Sequence, residues 1–325
     1  MARTVLTDIA SQSWEHPADR AALAGMRALP GFDTAVNAFA KAFGERGVRH
    51  LFTASAVRVG PTQRPDLDAL WSEVLQTLDW PTRPQLFVTS SPSINAGAVG
   101  FAEPFIVINS AAVEQLTRDE LRVILAHELG HVMSGHVTYR TVAQIILLVG
   151  IGNLPFLAGI ALLPFQLALL EWYRKSELSC DRAALLGAQD PDLVLTTFMK
   201  LAGGPAFRDS LDLEAFKAQA REYEMDESAW DTVLKAINTA FREHPFFTIR
   251  AGELQRWTAG GDYARILAGE YVKRADVKPG ERLGEEIRQG ATYYTDQAKA
   301  AVEKVGETFT RAKDAFTDAM KGGAR

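Results

Sequence analysis

The chain has 325 residues, 47% hydrophobic and 23% charged, enough apolar surface to build a core and to exclude a disordered chain. With 35 basic against 40 acidic residues, a formal charge of −5, there is no basic excess to hold a phosphate backbone, and nucleic acid is excluded as an expected partner. The single cysteine, Cys180, closes no intrachain disulfide, and no apolar core follows Arg3, so a secreted, stapled protein is excluded and a cytoplasmic one, at most peripheral at the inner face of a membrane, is expected.

Residues 1–54 read as a helical segment, with Val36, Phe39, Ala40 and Phe43 at three- and four-residue spacing. Short strands are expected at Ala56–Val59, Leu86–Val88 and Phe105–Ile108, separated by Gly and Pro, with a helix holding Leu70, Trp71, Val74, Leu75 and Leu78 between the first two. Further helices are expected at 118–137, 171–187, 191–202, 211–223 and 228–242, and Gly260-Gly261 closes the domain. The pattern predicts an α+β, predominantly helical fold with a small sheet. Its parts are an N-terminal helical segment 1–54, a domain 55–260 and a C-terminal tail 261–325, with no internal repeat.

Thr141–Leu170 carries no Asp, Glu, Lys or Arg over 30 residues. A spanning pair of helices needs roughly 40 apolar residues, and Gly150, Gly152, Asn153, Pro155 and Pro164 interrupt this stretch. It therefore reads as a helical hairpin, buried in protein or dipping into a membrane surface. In the tail, Ile287, Ala291, Tyr294, Ala298, Val302, Val305, Phe309, Ala312, Phe316 and Met320 form a helical stripe. Its mixed-charge polar face favours docking on protein over lying on a membrane.

His127-Glu128-Leu129-Gly130-His131 is an HExxH pattern, and Thr117-Arg118-Asp119-Glu120 ahead of it fits a capping box that starts the helix. At about 100° per residue His131 lies only about 40° from His127, so both imidazoles reach one ion. Glu128 sits beside them at the margin of the apolar face of Leu121, Ile124, Leu125 and Val132. A third ligand is still needed. A further histidine at 137 is absent, since that position is Val137, and His136 lies about 140° around a continuous helix, which makes it a surface or capping residue. His16 and His50 read as structural. Glu177 and Asp181 share a helix face, either as solvated carboxylates or as ligand and supporting acceptor for a ligand imidazole. Cys180, about 60° away, reads as a small core residue, with soft-ligand behaviour as the alternative.

Together with Asn95-Ala96, the strand Phe105–Ile108, Asp119-Glu120-Leu121 and His244-Pro245, these motifs over about residues 55–255 resemble the HtpX-like and CaaX-prenyl-protease-type zinc metallopeptidases, which include the mitochondrial Oma-type proteases. The resemblance implies a minigluzincin fold, one Zn2+ per chain on His127, His131 and Glu177, and Glu128 as catalytic base. It further implies that the strand after Asn95 and Ala96 offers its edge to an extended peptide. His244 would lie near the metal, bonding the transition-state oxyanion or occupying the open position at rest; capping the preceding helix is the plain alternative. The expected function is zinc-dependent endopeptidase action on protein or peptide substrates, with membrane-surface contact through 141–170 and the tail left as an alternative to their packing on protein. Against it stands a zinc-stabilised binding or chaperone-like module at a membrane surface with little turnover.

Overall fold

The computed structural model describes residues 3–27, 31–149, 162–204, 210–225 and 246–277. In chain order its elements are α1 (Pro17–Arg27), α2 (Phe32–Thr53), β1 (Ala56–Arg58), α3 (Pro65–Thr77), β2 (Gln85–Thr89), β3 (Ala96–Val99), β4 (Phe105–Asn109), α4 (Ser110–Gln115), α5 (Arg118–Met133), α6 (Val137–Val149), α7 (Leu162–Ala188), α8 (Pro191–Gly203), α9 (Leu213–Met225), α10 (Phe247–Ala259) and α11 (Asp262–Leu267). The α+β, predominantly helical class is as expected.

The sheet runs β1-β2-β4-β3, with β2 and β4 parallel and the two outer pairs antiparallel. Successive side chains of a strand point to opposite faces. Leu86, Ala98, Ile106 and Ile108 therefore enter one apolar cluster, with α3, α5, α8, α10 and the C-terminal half of α7. Phe87, Val99 and Phe105 enter a second, with α1, α2, α6 and Leu169, Trp172 and Tyr173 of α7. Helix α7 thus belongs to both clusters, and Glu177 lies where they meet. Edge strand β3 is short and built of small residues, and sequence patterning alone did not separate it from the loop around it.

The capping box forms as expected: Thr117 Oγ1 accepts from Glu120 N–H, and Glu120 Oε2 accepts from Thr117 N–H at 2.8 Å. The expected helix 118–137 is two helices, because Gly135 takes a left-handed φ of 71° and turns the chain between α5 and α6. Both ends of the uncharged stretch are buried, with Val142, Ala143, Ile145, Ile146 and Leu169 in the second cluster. Residues 150–161 of that hairpin, the expected helix 228–242 and the tail stripe 285–325 lie outside the described residues. Among the described residues no helix is long and apolar enough to cross a membrane.

Two N-terminal features tie distant parts of the chain together. Helix α2 kinks at Gly44 (φ 61°, ψ 166°), and the Glu45 carboxylate beyond the kink accepts from the N–H groups of Phe101, Ala102 and Glu103 in the β3–β4 turn. Residues 8–10 pair with 272–274, through Ala10 N to Val272 O and Arg274 N to Asp8 O.

Candidate metal centre

Two glycines let α5 and α7 approach closely. A Cβ on Gly130 would lie 2.7 Å from Ala183 Cβ and 3.3 Å from Cys180 Cα, and one on Gly187 would overlap Ala126 Cβ. This approach sets Glu177 of α7 against the imidazoles of α5. Glu177 Oε2 is 3.3 Å from His127 Nε2, Oε1 is 3.3 Å from His131 Nε2, and the two Nε2 atoms are 3.3 Å apart. Tetrahedral zinc with ligands at about 2.0–2.1 Å needs donor atoms about 3.3–3.4 Å apart. Two imidazole nitrogens and a carboxylate, all buried and at that spacing, fit the ion.

Asp181, one turn after Glu177, accepts from His127 Nδ1 at 3.1 Å. Arg250 of α10 grips the same carboxylate through Nε (2.8 Å) and Nη2 (2.5 Å), and its Nη1 is 3.6 Å from Glu177 Oε2. Arg140 of α6 bonds Glu177 Oε1 at 2.5 Å with its guanidinium over the Tyr173 ring. Burial alone would lower the His127 imidazole, but Asp181 and Glu177 outweigh it and hold it up to about 9. Burial, with the Arg140 charge beside it, pushes His131 well down, so that ring is neutral and offers a lone pair. Burial opposes ionisation of Asp181, yet Arg250 and His127 keep its carboxyl below the usual range.

Glu128 points from the same turn of α5 toward the sheet, where its Oε2 accepts from Ala98 N–H of β3 at 2.8 Å. A cavity of about 300 Å³ opens beside it. Asn95 and Ala96 line one side with His127 and Glu128, while Val123, Ile124, Phe198 and Phe247 make the rest mainly apolar. Asn95 also folds its Oδ1 onto Ala96 N–H at 3.0 Å. Of the site residues expected from the sequence, His127, Glu128, His131, Glu177 and Asp181 converge, Asn95 and Ala96 border the cavity, and His244 lies outside the described residues.

One reading is corrected. His136 is buried at 2% exposure and faces the site, with its Nδ1 3.2 Å from His131 Nδ1. An unbroken helix would turn His136 away, whereas the turn at Gly135 brings it back, its N–H bonding His131 O at 3.0 Å. His131, His136 and Cys180 form a second convergent set. Burial and then the Glu177 charge push the Cys180 thiol well up, so it keeps its proton and behaves as a core residue. Arg140 and Arg250 were not singled out from the sequence. The available signal was the need of two buried carboxylates for cations beyond the metal.

Residues 61–258 match peptidase family M48. The chain is 35% identical over 277 residues to the plastoglobule-localized metallopeptidase 48, chloroplastic, of Arabidopsis thaliana, covering 83% of this chain and 78% of that protein. It is 26% identical to a protease HtpX homolog of Moorella thermoacetica, over 52% of this chain and 66% of the relative. To one of Helicobacter pylori it is 24% identical, over 51% and 62%. No solved structure matches the chain.

Proposed function

This chain belongs to peptidase family M48 and is a zinc metallopeptidase, and from that premise we propose that it is an endopeptidase whose single zinc is held by His127, His131 and Glu177. The observation that carries the assignment is the 3.3 Å spacing of the three buried donor pairs, beside a carboxylate that is not among them. Bound there, zinc supplies Lewis acidity, lowering the pKa of water and polarising a carbonyl. Glu128 takes the proton of the attacking water and delivers it to the departing amine nitrogen. Asp181 orients His127 by accepting from Nδ1, and Arg250 holds Asp181 in place. Asn95, Ala96 and the β3 edge align an extended peptide, with one of its side chains in the apolar cavity. His244, outside the described residues, enters this proposal from its place before Pro245 in the sequence alone, as an oxyanion donor or an occupant of the open metal position.

The catalytic unit in this reading spans 55–260, with 1–54 packed behind it and 261–325 following. Membrane-surface contact through 141–170 and the tail enters as a proposal, resting on the uncharged run and the tail stripe. The test is metal analysis of purified protein together with cleavage of an unfolded protein substrate. About one zinc per chain and chelator-sensitive cleavage are expected; a metal-loaded protein that cuts nothing would favour the binding-module alternative. Co-sedimentation with liposomes tests the membrane proposal separately.

A further inference from the structure

Three buried side chains form a line leading away from the candidate metal. His131 Nδ1 faces His136 Nδ1 at 3.2 Å, and His136 Nε2 faces Asp19 Oδ2 at 3.1 Å. All three are at most 2% exposed. Asp19 comes from α1, outside the matched residues 61–258. It is itself pinned: Oδ1 accepts from Trp172 Nε1 at 3.0 Å and Oδ2 from the Ser179 hydroxyl at 2.5 Å. Ser179 Oγ in turn accepts from His16 N–H at 2.9 Å.

We infer that Asp19 and His136 are positioning residues of the metal centre, a relay that sets the tautomer of His131. This rests on the assignment of His131 as a ligand. Indole N–H only donates, so Asp19 Oδ1 is an acceptor, and Oδ2, already taking the Ser179 proton, also accepts at His136. A neutral His136 therefore carries its proton on Nε2 and presents a lone pair at Nδ1. His131 meets that lone pair with Nδ1–H, and its own lone pair falls on Nε2, the atom 3.3 Å from Glu177 Oε1. The Cys180 thiol, 3.8 Å from His136 Nδ1, is a weaker and longer competitor for the same lone pair. The two ligand imidazoles are thus oriented differently: Asp181 supports His127 directly, while His131 is supported through His136, which is held in turn by Asp19 of α1.

The relay makes a substitution of nearly equal volume informative. In Asp19→Asn the donor Trp172 draws the amide oxygen, which leaves the NH2 group facing His136 Nε2. His136 must then place its proton on Nδ1, against His131, and the ligand tautomer is opposed. In the full-length protein, competition with a chromophoric chelator should show zinc affinity lowered by roughly 10–100-fold in Asp19→Asn. Melting of the metal-free variant should match wild type. Wild-type zinc affinity in Asp19→Asn overturns the relay. If that variant does not fold, the wild type decides: nitrogen-15 spectra of histidine-labelled protein should show His136 protonated on Nε2 alone, and a proton on its Nδ1 overturns the proposal. His131→Ala separates the two levels, since full zinc retention there would remove the ligand assignment itself, whereas zinc loss there with an unaffected Asp19→Asn removes only the relay.

Discussion

Ala98 and Glu128 are joined by one hydrogen bond, from the amide of the edge strand to the carboxylate on α5 at 2.8 Å. The bond holds one oxygen of the proposed base, whose side chain lines the cavity. Glu128→Gln keeps an acceptor for Ala98 but cannot take a proton. It should retain zinc and stability while peptide cleavage falls by roughly 10²–10⁴-fold. Cleavage at the wild-type rate would remove Glu128 as base.

Glu177→Gln and Asp181→Asn separate ligand from support. Glu177→Gln replaces an anionic donor that also neutralises Arg140 and Arg250, so zinc content should drop sharply. Asp181→Asn should weaken zinc by roughly 10–100-fold and leave the ion bound at high concentration. The same dissociation constant in both variants would mean that their roles are not distinct.

Gly130→Ala adds a methyl group where Ala183 already stands 2.7 Å away. Overpacking of this kind costs about 1–3 kcal/mol, measurable by urea unfolding of metal-free protein. Because the helices must separate, the spacing of Glu177 from His127 and His131 widens, and zinc affinity should fall as well. Lost stability with unchanged affinity would show that the centre tolerates a wider helix pair.

Glu253 of α10 tests pH dependence away from the metal. Burial works against its ionisation, but His16 and Arg256 outweigh it and hold the carboxyl down to about 2. A carboxyl depressed from its usual 4.5 contributes stability that is present above 4.5 and lost as pH falls through about 2. Glu253→Gln should therefore destabilise the protein near neutral pH and flatten its acid-unfolding curve. A curve parallel to wild type would show that Glu253 is not coupled to folding.

His244→Ala addresses the expected histidine outside the described residues. An oxyanion role predicts turnover lower by roughly 10²–10³ with zinc content and KM little changed. A blocking role at the open metal position predicts higher activity. Wild-type kinetics would leave only the helix cap.

Much of this site was legible because its first residues lie on one capped helix. His127, Glu128 and His131 need no tertiary information to share a face, and Glu177 with Asp181 follows from an ion that needs a third ligand. His136 was misread because a helical wheel has no means of registering the turn that Gly135 makes. Arg140 borders the uncharged run and Arg250 sits among aromatics, and only tertiary packing brings either to a carboxylate. Asp19 was invisible for a stronger reason, since its partners Trp172 and Ser179 are more than 150 positions away. In the fold, β3 has Val99 as its single β-branched residue among Ala and Gly, too weak a signal for a strand, and α7 begins earlier than expected because uncharged apolar residues give no capping signal.

The pairing of residues 8–10 with 272–274 has a consequence for biosynthesis. Residues 8–10 wait for residues 272–274 before they can pair, and loop closure over that separation is slow compared with local helix formation. Arg250, which secures the Asp181 carboxylate, also emerges late. A nascent chain that has emerged only through HExxH therefore has neither the 8–10 to 272–274 pairing nor its arginine, and the hydrolytic centre is complete only once residues 250–274 have emerged. Stalled or truncated chains would be poor proteases, a form of temporal control that requires no separate inhibitor.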